Sequence, residues 1–158
     1  MAREVLTYLD ALEKLKKYCA YQERAQSEVR KKAFSYGLSS EEAESVITDL
    51  IKDNFLNEQR YAEAYVRGKY KFKRWGRKKL ELELKSRQVS TYCIKKGMAQ
   101  IEPAIYFSNL VYLAEKRLPL TKGKNQAEIK QKMFRHLLGK GYESNLIEEV
   151  LGDLFEGN

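Results

Sequence analysis

VRKKAFSYGLSSEEAESVITDLI, Val29 to Ile51, reads as a basic amphipathic helix, a glycine turn and a second helix with its own apolar stripe. The pattern returns 104 residues later as MFRHLLGKGYESNLIEEVLGDLF, Met133 to Phe155. Under that displacement Gly37 falls on Gly141, and Ala43, Val46, Ile47, Leu50 and Ile51 fall on Ile147, Val150, Leu151, Leu154 and Phe155. Apolar residues at i, i+3, i+4, i+7 and i+8 share one helix face, so the same face is written twice at a fixed offset. A repeated helical unit predicts an array of modules before it predicts an enzyme, and an array works by presenting surface.

A weaker copy lies between these two, 51 residues after the first. Leu80, Leu84, Ile94, Met98 and Ile101 stand for Val29, Ala33, Ala43, Ile47 and Leu50, while Gly97 takes the place of Val46. Helix punctuation fills in the rest. Thr7 with Asp10 caps a first helix running to about Tyr21, and Gly37 ends a second helix over about 28–36. Ser39 with Glu42 forms the next capping box, Asn57 caps a fourth helix, and Ser90 caps a sixth after a fifth that carries Leu80 and Leu84. A seventh helix over about 104–118 is broken by Pro119, and the last copy supplies two more. The expected fold is all-α: nine helices in three tandem three-helix modules, residues 1–55, 56–103 and 104–158.

Composition narrows the function. One third of the residues are charged and apolar content is ordinary, as in a folded, well-solvated protein. The opening MAREVLTYLDALEK lacks the layout of a signal peptide and no apolar run is long enough for a bilayer, so a cytoplasmic protein is expected. Cys19 and Cys93 have no partner cysteine at CxxC spacing, and His136 is the single histidine, so neither a metal site nor a cofactor is expected. The carboxylates at 41, 42, 44, 148 and 149 sit at helix starts or exposed faces. Lys122 to Asn125 lacks the glycine, the hydroxyl residue and the strand of a phosphate loop. No nucleophile–base set can be assembled from these residues, so an enzyme is not expected.

The charge is concentrated. Arg67 to Arg87 holds ten basic residues against Glu81 and Glu83, a net +8 that equals the charge of the whole chain. Lys14 to Lys32 holds seven against Glu23 and Glu28. Such a field attracts polyanions or acidic protein grooves. Within residues 69–79, KYKFKRWGRKK, cations alternate with Tyr70, Phe72 and Trp75, the mixture that single-strand channels use for phosphates and base stacking. Tyr70 and Trp75 better suit the core at the junction of helices four and five, where aromatics usually sit in small bundles. Arg24, Arg30, Lys31 and Lys32 suit either a solvated face or a binding face.

Four segments carry a family resemblance: RAQSEVRKKA (24–33), FLNEQRYAEAYVR (55–67), WGRKKLELEL (75–84) and HLLGKGYESNLIEEVL (136–151). In order and spacing they resemble the signature segments of RecX, the bacterial regulator of the RecA recombinase, over about residues 8–155. Where many members have Gly-Pro, Gly76 is here followed by Arg77. The resemblance implies an elongated, curved molecule lying in the groove of the RecA–single-stranded DNA filament. There it would hinder filament growth, ATP turnover and strand exchange, within homologous recombination, DNA repair and the SOS response. The residues expected to contact filament or nucleic acid are Arg24, Arg30, Lys31, Arg67, Lys69, Lys71, Lys73, Arg74, Trp75, Arg77, Lys78 and Arg87. A monomer with no cofactor, metal or membrane is expected. The alternative is a helical-repeat protein that binds nucleic acid directly, without RecA.

Overall fold

The structure, a computed structural model, describes residues 5–156. Among these residues the fold is all-α, with nine helices and no strand. They are α1 (Tyr8–Tyr21), α2 (Gln26–Ser35), α3 (Ser40–Lys52), α4 (Glu58–Phe72), α5 (Arg77–Ser86), α6 (Thr91–Met98), α7 (Pro103–Arg117), α8 (Gln126–Gly139) and α9 (Ser144–Glu156). A 3-10 turn over Leu118–Leu120 follows α7 at Pro119. The reading of the opening residues as no leader concerns in part residues 1–4, which lie outside the described ones. No helix among the described residues is long and apolar enough to cross a membrane.

The caps follow from side chains that satisfy the orphan amides of each first turn. Thr7 Oγ1 accepts from Asp10 N–H, and Ser39 and Glu42 bond reciprocally at the start of α3. Asn57 Oδ1 accepts from Arg60 N–H, and Ser90 Oγ from Cys93 N–H. α2 begins two residues earlier than its hydropathy suggests, because Glu28 reaches back to accept from Ala25 N–H at 3.2 Å. Pro103 takes the first position of α7, where its missing N–H costs nothing.

The chain packs as two compact units. One runs to Ala64 and includes Leu84–Lys96; the other is Tyr65–Glu83 with the chain from Gly97 onward. This division by packing cuts through α4, α5 and α6, unlike the division by repeat. In the first unit, α1, α2 and α3 pack around Leu15, Val29, Ala33, Val46, Ile47 and Leu50, with Cys19 buried among them. Tyr8 ties α1 to α3 through its hydroxyl, which donates to Asp49 at 2.5 Å. In the second unit α7, α8 and α9 pack pairwise and bury Leu110, Ala114, Met133, Leu137, Ile147, Val150 and Leu151.

The repeated stripe is narrower than its sequence. Ile51 is 46% exposed, and its counterpart Phe155 is half-buried, as is Leu154. Burial thus falls away toward the end of each stripe, while Leu50, the counterpart of Leu154, stays fully buried.

Candidate functional site

The basic run starts on α4 and turns a corner before α5. Arg74 makes the corner in the left-handed region, at φ 53°, a conformation that disfavours residues with a side chain. Trp75 N–H then returns to Lys69 O at 3.2 Å, closing the helix end. Two contacts hold Arg74 there: Tyr142 Oη donates to its carbonyl at 2.8 Å, and its guanidinium lies 4.0 Å from the centre of the Tyr112 ring, while its Nε is buried without a hydrogen-bond partner among the described residues.

α5 has no Ser, Thr, Asp or Asn at its start. Its first amides are satisfied by residues far along the chain instead. Gly76 N–H donates to Lys140 O at 2.8 Å, Arg77 N–H to Tyr106 Oη at 2.8 Å, and Lys78 N–H to Gly141 O at 2.9 Å. The bond from Arg77 is one a proline at that position could not make. Tyr106 Oη in turn donates to Glu143, which also pairs with the Arg77 guanidinium at 2.6 Å. Burial first, and then the bond to Glu143, push the Tyr106 hydroxyl far above its ordinary pKa, so it remains a donor. Backbone passes against backbone here. A Cβ added at Gly76 would overlap the carbonyl carbon of Gly141, and one added at Gly141 would lie 2.5 Å from Lys79 Cβ.

Around this corner the expected site residues separate. Lys71, Lys73 and Lys78 are exposed, and exposed Arg67 bonds Gln100 at 3.0 Å. Trp75 is half-buried, edge-on to Tyr65, with Lys69 Nζ 5.0 Å and Lys79 Nζ 4.5 Å from its ring centre. Tyr70 is fully buried and accepts from Glu102 N–H, whereas Phe72 is 80% exposed. The alternation of the sequence thus becomes core on one side and surface on the other. Arg74 and Arg77, expected among the contact residues, are half-buried and hold the corner together.

The remaining four residues lie in the first unit. Arg24 is half-buried, its guanidinium 3.7 Å from the Tyr18 ring centre and its Nε donating to Tyr18 O. Arg30 forms a two-pronged pair with Glu44, at 2.6 and 3.4 Å, and this hydrogen bond holds the Glu44 carboxyl below its usual range. Lys31 is exposed, and Arg87 is half-buried with its carbonyl accepting from Ser27 Oγ at 3.1 Å. Sequence reasoning passed over Lys79 beside Trp75, and over Tyr106, Tyr142 and Glu143, whose partners lie 29 to 68 residues away. No short-range spacing signals such pairs.

No group of three or more His, Cys, Asp or Glu among the described residues is placed to hold a metal. Burial raises the Cys19 thiol to about 11, which makes it a core residue rather than a nucleophile. His136 is half-buried, and burial, aided by Arg117 and Lys140, lowers its pKa.

Comparisons with known proteins bear on these surfaces. The family model for the second three-helix domain of RecX matches residues 57–98, and that for the third matches residues 104–151. The chain is 30% identical over 124 residues to regulatory protein RecX of Vibrio parahaemolyticus, covering 78% of each. It is 28% identical over 137 residues to regulatory protein RecX of Prosthecochloris aestuarii, covering 87% of this chain and 88% of that one. The crystal structure of RecX from Lactobacillus salivarius superposes with a TM-score of 0.82 over 94% of this chain and 97% of that one, at 23% identity, a likeness of fold. With two family models matched in order and a relative at this identity over most of both chains, the chain belongs to the RecX family of regulatory proteins.

Proposed function

We propose that this chain regulates the RecA recombinase by binding in the groove of the RecA filament on single-stranded DNA, lowering its ATP turnover, growth and strand exchange without chemistry of its own. In this reading the three repeats, residues 1–55, 56–103 and 104–158, are successive contact modules of one monomer acting in the cytoplasm. The observation that carries it is the concentration of charge between Arg67 and Arg87, on a chain of a family whose members are named regulatory proteins. Arg67, Lys71, Lys73 and Lys78 present cations to a polyanionic or acidic partner, while Arg74 and Arg77 keep the corner in shape.

RecA ATPase on single-stranded DNA, titrated with this protein at sub-stoichiometric amounts, tests the reading. The rate falls if the reading is right; unchanged activity at several-fold excess rejects it. Reversing Lys71, Lys73 and Lys78 to Glu keeps the melting temperature, since all three are exposed, and weakens filament binding and its salt dependence.

A further inference from the structure

In the first unit, α1 and α2 bring cations and tyrosines into an alternating series. Lys14 Nζ lies 5.7 Å and Lys32 Nζ 5.8 Å from the Tyr36 ring centre, and Lys32 Nζ is also 5.7 Å from Tyr18. The Arg24 guanidinium lies 3.7 Å from Tyr18 and 5.9 Å from Tyr21. The series therefore runs Lys14, Tyr36, Lys32, Tyr18, Arg24, Tyr21. Arg24 is anchored, because its Nε donates to Tyr18 O at 2.9 Å. Tyr21, at the last turn of α1, is 83% exposed, so burial does not account for its ring. Beside the series lies a cleft of about 380 Å³ lined by Tyr18, Glu28, Lys31, Lys32 and Ser35. Of the acids near the series, Glu28 accepts from Ala25 N–H, and Glu23 pairs with Arg60 at 2.6 Å.

We propose that this series is a binding site for single-stranded nucleic acid, in which Tyr21 stacks on a base while Arg24, Lys32 and Lys14 hold phosphates. Cations alone would suit any polyanion. Alternation with rings favours a single strand, which offers both charge and exposed base faces. A duplex keeps its base faces stacked inside, and an acidic peptide has no such face for Tyr21. The site goes beyond the filament reading, since the contact is direct and needs no recombinase.

Fluorescence anisotropy of a labelled oligothymidylate with the full chain, without RecA, tests it. The comparison strand is an abasic oligonucleotide of equal length and charge. The intact protein should hold oligothymidylate about tenfold tighter than the abasic strand, the size expected for one stacked base. Tyr21→Ala should leave the melting temperature unchanged and abolish that difference, while Tyr21→Trp restores it and Phe72→Ala does not touch it. Equal affinity of the intact protein for both strands overturns the proposal. So does an undiminished preference in Tyr21→Ala, its loss in Phe72→Ala, or competition by polyglutamate as effective as by oligothymidylate. Should the base preference be missing while RecA ATPase still falls, this site is wrong and the regulator reading stands; the converse result supports the site and rejects the regulator reading.

Discussion

The turns at Gly37 and Gly141 are the same device in two settings. Both glycines have positive φ, 86° and 99°, and both follow a basic helix whose end is closed by the same pair of backbone bonds. Gly37 N–H returns to Phe34 O and Leu38 N–H to Ala33 O; Gly141 N–H returns to Leu138 O and Tyr142 N–H to Leu137 O. The surroundings differ. A Cβ at Gly37 would meet Val5 at 3.3 Å, whereas at Gly141 it would strike the backbone and Cβ of Lys79 at 2.6 and 2.5 Å. The repeat writes the turn, and the neighbour decides how much depends on it. In the first copy glycine answers a backbone requirement. In the third it answers that and also lets the start of α5 approach.

The largest effect should therefore come from Gly141→Ala. Left-handed strain and collision with α5 together cost about 3–5 kcal/mol, against about 1–2 kcal/mol for Gly37→Ala, where strain dominates. Urea unfolding followed by circular dichroism compares the two. Equal losses would break the contrast, showing that the α5 contact is loose.

Next in size is a pair on which the copies should agree. Ile47 and Leu151 occupy matching positions and are 3% and 1% exposed. Truncation of either to Ala should cost about 2–5 kcal/mol. If one costs much less than the other, the repeat is a likeness of sequence and not of packing.

Tyr106→Phe isolates the polar part of the α5 contact. It removes the acceptor of Arg77 N–H and the donor to Glu143, for a loss of about 1–3 kcal/mol. The effect should not add to that of Gly141→Ala in the double variant, because both act on one contact. Additive losses would place Tyr106 outside it.

The smallest effect separates the copies by pH. His136 stands where the first copy has Lys32, and its pKa is lowered below 6.5 by burial and then by Arg117 and Lys140. The unfolded chain takes up this proton first. Its contribution to stability is complete above 6.5 and is lost as pH falls through and below that value. His136→Gln should thus lose less melting temperature than the parent between about pH 7.5 and about pH 5.5. An identical slope would show that the imidazole is not what titrates.

The helices were legible because their signals are local. Ser39 and Glu42 cap α3 from three residues apart, and the stripe of Val46, Ile47 and Leu50 needs only a helical period. Gly37 and Gly141 mark left-handed stops openly. Asn54, Arg74 and Gln88 make the same stop at φ 63°, 53° and 60°, and for Arg74 and Gln88 nothing in the residue type announces it. The basic run was legible as charge but not as roles. That Arg77 pairs with Glu143 while Lys78 faces solvent depends on contacts 66 residues apart, which periodicity does not carry. The start of α5 was hidden for the same reason, since its caps belong to another repeat.

That borrowed cap sets an order of events on the ribosome. α5 emerges with its first amides waiting for Tyr106, Lys140 and Gly141. Gly141 is translated 65 residues after Gly76, a delay of roughly 3–13 s at ordinary synthesis rates, far longer than a helix needs to form. Throughout that interval the most cationic stretch of the nascent chain has a helix start without its lasting acceptors and a corner at Arg74 without Tyr142. Its mature geometry is fixed only when the last repeat arrives.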